Sequence, residues 1–229
     1  AWSLLLAADQ ALTQASFPPF TDNNVKANLL YALVAEGRFD EAEPLLDMMI
    51  VRFQKIADGK NWLLVNFLRQ QALQRLGQGR VAQAELSLAE AWRRHDELTP
   101  EQRRSATDAL ALTAARFAVA RGDADGALRA LARLQQRGAD EAATPWPDAL
   151  AARALQAQVL LLQQRDGAAR AAAQGVIDTL ARSGLRDRYQ AIEADALLPL
   201  AAALQRVGDN SAACEALGPA RCEARPDCL

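Results

Sequence analysis

The sequence predicts an all-α chain of about five antiparallel helix pairs, about eleven helices in all, with no sheet. Three observations carry that expectation. Strand-forming runs are scarce, and alanine, leucine, arginine, glutamine and glutamate, all good helix formers, dominate. Glycines fall at the ends of apolar periodic runs, where a left-handed residue closes a helix. One stretch, residues 33–46 (LVAEGRFDEAEPLL), returns in degraded form at residues 73–84, 118–127, 160–168 and 204–213.

Aligning the small residue of each second helix gives Ala42, Ala84, Ala127, Ala168 and Ala213, spaced by subtraction 42, 43, 41 and 45. Aligning the end of each first helix gives Gly37, Gly77, Gly122, Gln164 and Gly208, spaced 40, 45, 42 and 44. A spacing of this order marks stacked helical pairs, because one pair alone cannot bury its apolar face.

In chain order, Leu5, Ala8, Leu12 and Ala15 have helical spacing, and Pro18-Pro19 breaks that run. Thr21 or Asp22 is placed to cap a helix ending at Glu36, and a second runs from Phe39 to Ile56. After the turn Ala57-Asp58-Gly59-Lys60 come helices from Asn61 to Leu76 and from Val81 to His95. Thr99-Pro100-Glu101-Gln102 is the clearest start signal, an N-cap threonine, a first-position proline and a glutamine that reaches back. The helix it opens runs to Gly122, and the next to about Arg137. Residues 138–147 (GADEAATPWP) read as a loop. Two helices then fill Asp148 to Ser183, with Gly184 as the cap, before one from Arg186 to Val207 and a short helix ending at Leu217. Residues 1–217 are thus expected to form one helical-repeat domain, and residues 218–229 an irregular tail.

Gly37-x-Phe39-x-x-Ala42 followed by Leu46 resembles the tetratricopeptide turn, in which glycine ends the first helix and an aromatic and an alanine open the second. The resemblance covers roughly residues 23–217. It implies a right-handed superhelix of stacked pairs, here with a period of about 43 residues against the family's 34 or so, and a groove lined by the first helices. Lys26 stands where the family has tryptophan. The longer period also resembles the helical-repeat sensor regions of some bacterial transcription activators.

A formal charge of −2 and a pI near 5.6 give no pull toward nucleic acid or anionic membrane. No stretch reaches the roughly 18 apolar residues of a membrane span, and Arg116 interrupts the most apolar run, residues 109–120. The first residues lack a basic segment and do not read as a signal peptide. The chain is expected to be part of a longer or processed protein.

Chemistry is hard to assemble from these residues. His95, the one histidine, sits near a helix end with no serine or cysteine beside it and reads as a surface or capping residue. Gly77-Gln78-Gly79-Arg80 follows no strand, so it is a turn and not a phosphate loop. Asp40-Glu41 and Asp140-Glu141 read as solvated helix starts. No catalytic residue, metal or cofactor is expected.

Trp62, Phe67, Phe117 and Tyr189 read as packing between helices, and Trp146, between two prolines, as packing or a partner contact. The polar residues Asn24, Tyr31, Asn66, Arg69, Arg116 and Arg153 are the groove candidates, for a bound peptide or protein. All three cysteines, Cys214, Cys222 and Cys228, lie at the end, without the fourth ligand zinc would need. Their clustering resembles a disulfide staple, Cys214–Cys222 or Cys222–Cys228, and so an extracytoplasmic location. The expected function is a non-catalytic, extracytoplasmic sensor or interaction domain. Bacterial membrane serine/threonine kinases, some of which carry such repeats, offer a parent of similar architecture. The alternative is a cytoplasmic sensor arm or scaffold.

Overall fold

The computed structural model describes Ala7 and residues 19–135 and 147–217. Among them are ten α-helices and no strand: α1 (Pro19–Ala35), α2 (Phe39–Gln54), α3 (Trp62–Gly77), α4 (Val81–Asp96), α5 (Pro100–Ala120), α6 (Ala124–Gln135), α7 (Pro147–Leu162), α8 (Asp166–Ser183), α9 (Gln190–Arg206) and α10 (Asn210–Leu217). The chain divides into two compact units, Ala1–Leu110 and Ala111–Leu229.

Five turns share one local structure. The left-handed residues are Gly37, Gly79, Gly122, Gln164 and Gly208, spaced by subtraction 42, 43, 42 and 44. At each, the next residue's N–H reaches back five residues: Arg38 to Leu33 O (2.9 Å), Arg80 to Arg75 O (2.8 Å), Asp123 to Ala118 O (2.8 Å), Arg165 to Leu160 O (2.9 Å) and Asp209 to Leu204 O (3.0 Å). That bond satisfies a carbonyl the helix end leaves open and turns the chain back sharply. The same five residues then accept the first bond of the next helix, from Ala42, Ala84, Ala127, Ala169 and Ala213. Each alanine lies five positions after the left-handed residue, and each is buried.

The structure thereby corrects two positions in the alignment read from sequence. In the second turn the left-handed residue is Gly79, not Gly77, because α3 runs on through Gly77. In the fourth turn the buried alanine is Ala169, while Ala168 is only partly buried. Gly77 is needed for a different reason: a Cβ there would overlap the Phe39 ring.

Caps follow side-chain chemistry. Asp123 and Asp209 carry an acceptor, and they take the N–H groups of Gly126 (2.8 Å) and Ala212 (3.0 Å). Asn61 caps α3 through Leu64 N (2.9 Å) and donates to Phe53 O (3.0 Å) and Ile56 O (3.1 Å), tying the end of α2 to the start of α3. Thr99 and Gln102 form the expected reciprocal box, 3.4 Å each way. Thr21 and Asp22 fall inside the first turn of α1, which starts at Pro19, so neither occupies the cap position.

In the first unit α1 packs on α2, α2 on α3 and α3 on α4, and α1 also touches α3. Leu30, Leu46, Met49, Leu64 and Phe67 fill its core, with the Phe53 and Phe67 rings 5.2 Å apart. In the second unit α7, α8 and α9 pack mutually, α6 packs on α7, and α10 on α9. Its core gathers Leu112, Leu131, Leu150, Leu155, Val176 and Leu180.

Gly77→Ala forces its methyl into the Phe39 ring and is expected to cost about 1–3 kcal/mol, the usual range for overpacking. Adding Phe39→Leu should recover part of the loss in chemical denaturation. Full additivity of the two changes would contradict the contact.

Candidate functional site

Three of the six groove candidates meet in the first unit. Tyr31 comes from α1, and Asn66 and Arg69 lie three apart on one face of α3. Asn66 donates Nδ2–H to the Tyr31 hydroxyl. Its Oδ1 accepts from Arg69 Nε (3.1 Å) and Nη2 (2.7 Å). The chain Tyr31–Asn66–Arg69 thus fixes two side chains on α3 and links them to α1.

Asn66 and Arg69 line a cavity of about 170 Å³, with Trp62, Val65 and the small residues Ala106 and Ala109. Pockets for drug-sized ligands run to about 300–1,000 Å³, so this one has room for a side chain and not for a cofactor. Trp62 departs from the interhelical packing its sequence predicts: it opens α3 and leaves 43% of its surface exposed beside this cavity. Asn24 is exposed on α1, seven positions before Tyr31 and therefore on the same face of that helix.

Burial pushes the Tyr31 phenol above its ordinary value, and the nearby Arg69 charge works against that shift. Desolvation disfavours the phenolate, so Tyr31 stays a neutral hydroxyl through physiological pH.

The other two candidates lie in the second unit. Arg153 is exposed on α7. Arg116 on α5 pairs with Asp195 on α9, Nη2 to Oδ2 at 2.7 Å. Asp195 is held from a second side. Pro199 interrupts α9 and has no N–H, so the carbonyl four residues earlier, Asp195 O, loses its helical donor. Gln158 of α7 replaces it, donating Nε2–H at 3.0 Å. Gln158 also lines a cavity of about 570 Å³, walled by Leu161, Leu162, Leu198 and Pro199, that the polar candidates did not foreshadow. The signal available in sequence is a proline inside a helix four residues after an aspartate.

His95 corrects another expectation. It is buried, because it continues the stripe Ala84, Leu88, Ala91 at helical spacing on α4. Thr107 Oγ1 donates to Arg103 O (2.7 Å) and lies 2.9 Å from His95 Nε2, while His95 Nδ1 lies 3.2 Å from Asp96 Oδ1. The ring packs edge-on to Trp92, with centroids 5.2 Å apart.

Cys214 is partly buried on α10. Cys222, Cys228 and Trp146 lie outside the described residues. Among the described residues no group of three or more His, Cys, Asp or Glu side chains is placed to hold a metal, and no helix is long and apolar enough to cross a membrane.

The Tyr31 shift has a pH signature. Below the ordinary tyrosine value near 10, both folded and unfolded chains keep the proton. Above it the unfolded chain loses its proton first, so stability falls with rising pH until the folded phenol titrates too. Tyr31→Phe should remove that part of the alkaline loss, read as Tm against pH. A variant with the parent's full alkaline loss would contradict it.

Set against protein-family models and curated proteins, the chain matches none.

Proposed function

We propose that this chain is a non-catalytic helical-repeat domain that binds an extended peptide or protein segment along the Tyr31–Asn66–Arg69 face. In this reading the five recurring turns mark about five tetratricopeptide-like pairs, stacked as a right-handed superhelix with a period of about 43 residues. The observation that carries the binding role is the polar chain itself. Its side chains are fixed by their own hydrogen bonds, and it lies beside an exposed indole and a side-chain-sized cavity. Fixed polar groups next to an aromatic are the usual composition of a recognition surface.

The domain belongs, in this proposal, outside the cytoplasm, as the sensor or interaction part of a bacterial membrane signalling protein such as a serine/threonine kinase. The clustering of Cys214, Cys222 and Cys228 at the end of the chain supports that placement, because structural disulfides persist in oxidising compartments. Cys214–Cys222 is the proposed pair.

Peptides selected from a random display library provide the test. Arg69→Glu should weaken the best binder by about tenfold or more, since it removes the donors held by Asn66 and reverses the local charge. Arg129→Glu, exposed on α6, serves as the control and should change little. Equal losses in the two variants would remove this face from the proposal. Alkylation of the denatured, unreduced protein and intact mass should give one reactive thiol, and three would move the domain to a reducing compartment.

A further inference from the structure

The cavity in the second unit has a chemistry of its own. Its volume, about 570 Å³, falls within the range of small-molecule sites. Leu162 and Leu198 stand at its mouth, 41% and 51% exposed, and Ala202 lies in its wall. Among the described residues its only polar side chains are the amides of Gln158 and Gln205, and no ionisable side chain lines it.

Gln158 is the fixed element. Its Nε2–H is committed to Asp195 O, the carbonyl that Pro199 leaves without a helical donor. That bond orients the amide plane, so Oε1 becomes a placed acceptor at an otherwise apolar wall. Gln205, exposed on α9, makes no side-chain hydrogen bond among the described residues and supplies a second, adaptable amide. An apolar cavity with a few placed polar groups is the usual composition of a ligand site. A charged ligand would lose its hydration there and, among the described residues, meet no opposite charge in the lining.

We propose that this cavity binds a small, uncharged amphiphile: an apolar body against Leu162, Leu198 and Pro199, and one hydrogen-bonding group at the Gln158 amide. The site is independent of the peptide-binding face proposed for the first unit.

A matched pair of dyes tests it on the full chain. N-phenylnaphthylamine is neutral, and anilinonaphthalene sulfonate places a fixed charge on a closely related ring system. The neutral dye should bind saturably, one per chain, with the sulfonate about tenfold weaker or worse. Ala202→Phe narrows the cavity and should weaken the neutral dye by about tenfold. Leu198→Ser removes apolar surface at the exposed mouth, where the fold does not depend on it, and should weaken binding even if Ala202→Phe fails to fold. Absence of saturable neutral binding would overturn the proposal. So would a sulfonate that binds as tightly as the neutral dye, or neutral binding untouched by Leu198→Ser.

Discussion

The left-handed residue that closes alternate helices governs the rest of the structure. It allows the next N–H to reach back five residues, and it reverses the chain within a few positions. It also fixes the phase of the next helix, since the buried alanine comes five residues later at all five turns. A left-handed residue costs an ordinary side chain about 1–2 kcal/mol, which is why glycine holds four of the five places. Gln164 holds the fifth at φ 59° with the same backbone bonds around it. The reversal is therefore set by backbone bonding, and glycine makes it cheaper.

Fixed phase is what places side chains. In the first unit α1 and α3 touch each other as well as α2, so Tyr31 and Asn66, 35 positions apart in sequence, meet directly. In the second unit the same kind of alternate contact, α7 on α9, brings Gln158 to the carbonyl that Pro199 abandons. Both polar clusters thus join alternate helices, and they differ in what they leave open. The first leaves a small cavity beside an indole, and the second a larger one whose described lining carries no charge.

Much of this is legible in the sequence, and the failures have local causes. Helix positions follow from glycines and apolar periodicity, and the Thr99–Gln102 box stands where its spacing puts it. Gly77 and Gly79 both look like a helix end, and only the Phe39 ring lying on Gly77 separates their roles. Ala168 and Ala169 are identical in chemistry, so the choice between them needs the backbone. His95 reads as a surface or capping residue from its place near a helix end, yet helical spacing places it with Ala91 and Leu88. For the site, the residue types on alternate helices are visible but their meeting is not. Arg116 and Arg69 look equivalent in sequence, and the structure gives one to Asp195 and the other to Asn66.

The stability of Gln164→Gly bears most directly on the role of the left-handed residue. Glycine inside a helix normally destabilises by about 0.5–1 kcal/mol relative to alanine. At a left-handed turn residue it should do the reverse, relieving backbone strain by more than it adds to the freedom of the unfolded chain. Gln164→Gly should therefore raise the Tm, and Gly122→Gln, the same exchange run backwards, should lower it. A lower Tm for Gln164→Gly would contradict the claim that the left-handed residue governs these turns.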